Sequence, residues 1–512
     1  MKGSKDESFR EKWKMARDRF RKGEYRAAFE VLVNEPTRNV QELFTKIGFL
    51  IDVGLVLRDE KILQYGIYLL EKQKEEINVV PEYIPLVHLN LANQYSNMAS
   101  LYSYHDDFQQ YYQRKELTSA RLHYETALAG CDSGSPLRAK ILLPLADTLL
   151  NLGRGWEALS RYQEYVALSP GEPDPLVRKS ALMNRYAPFN ADNRDIIWRE
   201  SWHIMQKIRE LDRDNRFLSE MEREEGFLLG KCPRDFLDAE EVYPRETIDK
   251  GTREHLFHIS FCVKNRLYIN ACSFCSRCDF AIGDRAVLDT RNLTLSGRGE
   301  KRYYHLALLI NRMKEEFITG RFLLVLSQYD RKDLQYAEMF NLVAALENYE
   351  PANIKRTLLK KTYILGWELL RLVTQFLQVF TGHNPGRSVS MAQVFREGGK
   401  IRESIRRSDS PSLHALYDIF CDLHEGDDRY LNETYLLLQE DNLFDLPGSV
   451  RPAALSGTRG DLADLTIRLY RILKNIILYA MSMVEEEGME ERKIMPAFTL
   501  YPFEIPDNLR IN

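Results

Sequence analysis

Apolar residues recur at three- and four-residue spacing along most of this chain, a period that predicts helices. The pattern is sharpest in the second half. Between Tyr303 and Gln328, the residues Leu306, Leu309, Ile310, Met313, Phe317 and Phe322 fall at helical spacing. Asn353–Phe380 reads as a long apolar helix, stopped by the Gly-His-Asn-Pro-Gly turn at Gly382–Gly386. Ser412–His424, Asp428–Glu440 and Asp461–Glu487 add further helices, enough for a helical bundle. In the first half, Asn193–Glu224 reads as one long charged helix with a solvated surface. Between the halves the character changes. Glu240–Asp249 is turn-rich, Arg266–Asn270 reads as a short apolar strand, and Ala286–Leu295 is its expected partner.

The front of the chain repeats itself. Ala139–Pro170 places Leu145 and Ala146 in a first helix, Gly153 at a turn, Ala158 and Tyr162 in a second helix, and Pro170 at the end. Small residues at these positions let two helices nest closely. Weaker copies carry Ala92 and Tyr95, then Ala120, Tyr124 and Ala127, with a polar, tyrosine-rich insertion between the two groups. Ala16, Gly23, Ala28 and Phe29 give the same pattern, as does Gln41–Ile77 with Gly48 and Gly66. The run resembles tetratricopeptide (TPR) repeats. That resemblance implies an α-solenoid whose concave face binds a partner protein. A generic helical bundle is the plainer alternative.

Composition sets limits. At roughly 100–200 residues per domain, 512 residues suggest several domains. Lys plus Arg number 71 and Asp plus Glu 75, so any nucleic-acid contact must come from a local patch. The richest basic stretch runs from Arg387 through Arg396, Lys400, Arg402 and Arg406 to Arg407. It would suit RNA phosphates, or it is an ordinary solvated face. No apolar run approaches the ~18–20 residues of a membrane helix. The charged start has no secretory core, so a cytoplasmic protein is expected. No nucleotide-binding, zincin or hydrolase motif occurs. The segment 491–512 is proline-punctuated and aromatic, with Phe498, Tyr501 and Phe503 suited to surface packing or docking on a neighbour.

Four of the seven cysteines fall close together: Cys262, Cys272, Cys275 and Cys278. The C-x2-C-x2-C spacing brings thiolates to one side of a tight loop, as zinc requires. Cys262 completes the set if the strand expected at 262–270 doubles back, with His255 and His258 as alternatives. Structural zinc, free thiols in a packed hairpin and an iron–sulfur cluster are the three readings.

Several stretches of the second half resemble the HEPN superfamily, and in particular a prokaryotic group in which a HEPN bundle follows TPR repeats. They are Phe261–Asn270, Ala281–Asp284, Met313–Phe317 with Arg321 and Phe322, Lys360–Phe380 with Ser388–Ser390, and Leu462–Val484. The resemblance covers about 255–487. It implies a mostly α protein with TPR-like repeats over 1–215, a linker and Cys-bearing β insertion over 216–300, a HEPN-like bundle over 301–490, and a tail. It also implies a place in bacterial antiviral defence or toxin–antitoxin systems, and a homodimer through the bundle.

HEPN ribonucleases, as a family, use an Arg followed four to six residues later by a His. The Arg holds a phosphate and the His moves the proton of a ribose hydroxyl, with no metal. At the corresponding place this chain carries Arg429, Glu433 and Thr434, with threonine where the family has histidine. Threonine cannot act as a general base at neutral pH. His424 stands before Arg429, in reversed order. Two further pairs fall near this spacing as accident allows, Arg253 with His258, four residues between them, and Arg298 with His305, six residues between them. The expectation is therefore a protein-binding sensor or scaffold with a degenerate site. The alternative is a metal-independent ribonuclease working through Arg429 and a base not yet identified.

Overall fold

The computed structural model describes residues 6–77, 80–101, 115–132, 134–189, 194–239, 252–270, 282–288, 298–329, 354–382, 390–426, 428–444 and 461–491. These residues are mostly helical, as the periodicity predicts. They divide into two compact units, one ending at Leu152 and the other beginning at Gly153.

The first unit contains α1 (Asp6–Arg21), α2 (Tyr25–Leu32), α3 (Val40–Leu57), α4 (Glu60–Ile77), α5 (Ile84–Ser100), α6 (Glu116–Ala129) and α7 (Pro136–Asn151). Each helix packs against the next, and α1 touches α3, α3 touches α5, and α5 touches α7. Contacts therefore run along the sequence, helix upon helix. The small positions expected from the repeats lie inside: Ala16, Ala28, Ala92, Ala120 and Ala127 are all buried. Trp13, Phe20 and Phe49 fill the space beside Ala16 and Ala28. At Gly66 a Cβ would collide with the Gln94 amide of α5, so glycine sets how closely α4 and α5 approach. Most of the tyrosine-rich insertion lies outside the described residues.

The second unit opens with α8 (Gly155–Leu168), α9 (Pro173–Tyr186), α10 (Arg194–Leu211), α11 (Leu218–Leu229), α12 (Arg234–Asp238) and α13 (Arg253–Asn265). It continues with α14 (Arg298–Gln328), α15 (Ile354–Phe380), α16 (Met391–Phe395), the two-residue strands β1 (Arg396–Glu397) and β2 (Lys400–Ile401), and α17 (Glu403–Arg406). Then follow α18 (Pro411–His424), α19 (Arg429–Phe444) and α20 (Leu462–Glu491). Helices α14, α15 and α20 pack mutually, α18 lies on α20, and α19 bridges α15 and α18. Their shared core holds Met313, Phe317, Tyr363, Phe376, Leu469, Leu473 and Ile477.

The division falls at Leu152 and Gly153 rather than near residue 215, and the reason is α8. Trp156 is fully buried, stacks on Tyr186 with centroids 3.8 Å apart, and donates from its indole nitrogen to Ser482 Oγ of α20 at 3.1 Å. Gly153 adopts φ +77, and a Cβ there would overlap the Pro411 carbonyl at the start of α18.

Two sequence expectations change. Asn193–Glu224 is not one solvated helix. The chain breaks between α10 and α11, where Asn215 takes φ 54 and Asp212 accepts the Phe217 N–H at 2.9 Å. One face of α10 buries Ile197, Trp198, Trp202, Met205 and Ile208. The strand expected at 266–270 is not formed either. Cys262 lies in α13, and Arg266 is the left-handed C-cap of that helix. Ala286 N–H donates to Ile269 O at 3.0 Å, but the Ile269 N–H is taken by the Asp284 carboxylate at 2.7 Å, which stops a ladder. Residues 289–295 of its expected partner lie outside the described residues. Among the described residues the only sheet is the β1–β2 hairpin, turned through Gly398 and Gly399, both at positive φ.

Candidate functional site

Arg429, Glu433 and Thr434 share the first turns of α19 but not a face. The Arg429 and Glu433 side chains are 67% and 63% exposed and stand 3.9 Å apart, a solvated i,i+4 pair. Thr434 is fully buried. Its hydroxyl donates to Tyr430 O at 2.8 Å, one turn back, and also meets Tyr363. The Tyr363 hydroxyl in turn donates to Leu431 O at 2.7 Å. Thr434, the position expected to correspond to the family's histidine, thus faces the α15–α19 interface, away from the solvent that surrounds Arg429.

The histidines near an arginine in sequence stand elsewhere. His424 ends α18, packs on Phe420, and has its pKa lowered by burial. His258 lies in α13 beside Phe322, with its pKa lowered by burial and then by the charge of Arg321. Arg253 and His305 are exposed on α13 and α14.

The basic stretch is largely self-neutralised. Arg396 forms a two-point pair with Glu425, donates to the Tyr417 hydroxyl at 3.2 Å, and lies over the Phe420 ring. Arg402 donates to Gln393 O at 2.9 Å and meets Glu397 at 3.4 Å. Arg406 pairs with Glu403 at 2.6 Å. Lys400 is exposed on β2, and Arg387 lies outside the described residues.

Of the cysteine cluster, Cys272, Cys275 and Cys278 lie outside the described residues. Cys262 is buried, and burial pushes its thiol up to about 12. Among the described residues no group of three or more His, Cys, Asp or Glu side chains is placed to hold a metal.

The residues around Cys262 build a clasp instead. Asp284 accepts both ends of the Arg321 guanidinium at 2.6 Å, and Arg321 also donates to Leu267 O at 3.0 Å. The guanidinium lies over the Tyr268 ring at 4.8 Å. Lys314 donates to Ala286 O at 2.6 Å. The segments after α13 are thereby fixed to α14.

A second polar network runs through α8, α18 and α20. Arg154 donates to Asp418 at 3.0 Å and Asp422 at 2.9 Å, all three buried. Glu157 accepts from Arg154 and from the Tyr479 hydroxyl, and Glu486 accepts from Arg185, Ser410 and Ser412. Buried charges here are paired, as buried charges must be.

The α13 cap carries a different grouping. Arg471 of α20 donates to Asn265 O at 2.9 Å and Asn265 Oδ1 at 3.1 Å, and Lys474 donates to Arg266 O at 3.1 Å. Arg266 reaches Ser160 Oγ, next to Arg161 in α8. Burial, then neighbouring arginines, lower the pKa of both Arg266 and Arg471. Sequence reasoning missed this grouping because its members come from three distant segments.

Residues 298–487 match the family model of the LA2681-like HEPN. The helices α14 to α20 of the second unit therefore make a HEPN-type domain. No curated protein and no solved structure matches the chain. The match begins at α14, so the described clasp segments 255–270 and 282–288 lie outside the matched residues and are tied to α14 through Leu267, Asp284 and Ala286. No described helix is long and apolar enough to cross a membrane.

Proposed function

We propose that this protein is a non-catalytic sensor or scaffold of a bacterial antiviral-defence or toxin–antitoxin type system. In this reading, the TPR-like helices of the first unit bind a protein partner. The HEPN-type domain serves as a structural and RNA-facing module, and associates with a second copy. The cysteine cluster, with or without zinc, acts as a structural clasp at the entry to that domain.

One observation supports this reading above the rest. Thr434 is buried and hydrogen-bonded to its own helix, while Arg429 stands in solvent with Glu433 3.9 Å away. A ribonuclease of this family type needs a base within reach of the same phosphodiester that its arginine holds. His424, the nearest in sequence, lies on the preceding helix and packs its ring on Phe420, where desolvation lowers its pKa.

The test is incubation of the purified full chain with tRNA and with total RNA, with and without chelator. No cleavage above the buffer control is expected. Cleavage that survives chelation and disappears in Arg429→Ala would overturn the scaffold reading in favour of a metal-independent ribonuclease.

A further inference from the structure

We infer that Arg266 and Arg471 form a binding site for a phosphate group, with Arg161 and Arg468 at its rim. The two central guanidiniums are brought together by the fold itself. Arg471 donates to both oxygens of Asn265, the residue before Arg266, and Lys474 donates to the Arg266 carbonyl. The hydrogen-bond partners of Arg266 and Arg471 are neutral, a serine hydroxyl and an asparagine. Both side chains are exposed on one side, so a ligand can reach them.

The surrounding charges make the grouping unusual. Arg161 and Arg468 carry carboxylates of their own, Glu164 at 3.2 Å and Asp428 at 2.6 Å. Glu164 also lies near Arg266, Asp464 lies near Arg471, and Glu157 lies near the buried Lys474. None of these acids is hydrogen-bonded to the central pair. Elsewhere in this unit, buried or half-buried arginines such as Arg154, Arg185, Arg321 and Arg396 each hold a carboxylate. Arg266 and Arg471, whose side chains reach the surface, have a serine hydroxyl and an asparagine as hydrogen-bond partners, and Arg471 feels the charge of Arg266, with donors to spare on both. That is the arrangement a tetrahedral oxyanion completes, because planar guanidinium forks match its oxygens two at a time.

The phosphate would come from a free oligophosphate or from an RNA backbone, and the same chemistry serves both. The site holds whether or not Arg429 supports cleavage, so its test is one of binding. Calorimetric titration of the full chain uses inorganic pyrophosphate in one arm and a short single-stranded RNA without a terminal phosphate in the other. Binding is expected in at least one arm. Arg471→Gln and Arg266→Gln are each expected to weaken it by about tenfold or more, the scale of a lost charge-assisted contact. Lys207→Gln, an exposed charge on α10, is expected to leave it unchanged. Pyrophosphate binding alone assigns the site to a free oligophosphate, and RNA binding that pyrophosphate displaces assigns it to a backbone. The proposal fails if neither probe binds the wild-type chain. It also fails if both arginine variants bind as tightly as wild type, or if Lys207→Gln weakens binding as much as they do. Should one arginine variant not fold, the other decides.

Discussion

Arg321 and Asp284 meet end-on in a bidentate ion pair, with both N–O distances at 2.6 Å and side chains only 5% and 13% exposed. The pair joins α14 of the HEPN-type domain to a segment outside the family match. Asp284 also accepts the Ile269 N–H, and Arg321 also donates to Leu267 O. Removing Arg321 leaves the Asp284 charge buried without its partner and takes away the donor that Leu267 O accepts from. Arg321→Ala is expected to lower unfolding free energy by about 3–5 kcal/mol, read by urea denaturation. A loss no larger than that of an exposed pair would show that the clasp contributes nothing beyond surface charge.

The burial of Thr434 makes a sharp prediction about restoring catalysis. A histidine placed at 434, where the resemblance expects one, does not stand in the solvent beside Arg429. The Thr434 hydroxyl lies against Tyr363 and the Tyr430 carbonyl in a filled interface. Thr434→His must push these groups apart, and overpacking of this kind costs roughly 1–3 kcal/mol. The variant is expected to be less stable in urea and still inactive on RNA. Gain of chelator-resistant cleavage in Thr434→His would show that the position opens towards the substrate side.

How far the sequence carries can be seen at Gly153 and Arg154. Gly153 was legible as a turn because a repeat pattern surrounds it, and it does take positive φ. Arg154, its neighbour, was not legible. Its partners Asp418 and Asp422 lie 264 and 268 residues away, and no local period encodes such a meeting. The same holds for Arg266 with Arg471. Helix periods in α14, α15, α18 and α20 reflect burial of one stripe against neighbours, which single residues announce. Site chemistry depends on which stripes meet, which they do not. The expected strand at 266–270 failed for a related reason. Its backbone is held by Arg321 and Asp284, and Arg321 lies over the Tyr268 ring, so no neighbouring strand takes up those groups.

Lys474 gives a pH signature. Burial lowers its pKa from 10.5 to about 7, with Arg266 adding to the shift. Between about pH 7 and 10.5 the unfolded chain holds this proton and the folded chain does not. The unfolded state binds more protons there, so this residue makes stability rise with pH across that window. Below about 7 both states are charged and its cost is full and constant. Lys474→Met removes the titration. The stability of wild type relative to Lys474→Met is expected to improve steadily from pH 7 to pH 10, measured by urea unfolding at each pH. A difference that stays flat would mean that the ammonium is solvated in the folded state.

Close helix approach in the HEPN-type domain rests on Gly320. A Cβ at this position of α14 would run into the Tyr470 hydroxyl of α20, which donates to the Thr362 carbonyl of α15 at 3.1 Å. Glycine costs a helix interior roughly 0.5–1 kcal/mol relative to alanine. On propensity alone Gly320→Ala would therefore stabilise. Because the methyl displaces a fully buried ring that ties three helices together, Gly320→Ala is expected to destabilise by about 1–3 kcal/mol. Tyr470→Phe removes the obstructing oxygen, so the same substitution made in that background is expected to cost less. A double-mutant cycle reads this directly. Additive effects of the two changes would separate the glycine from the tyrosine and assign the close approach to backbone packing alone.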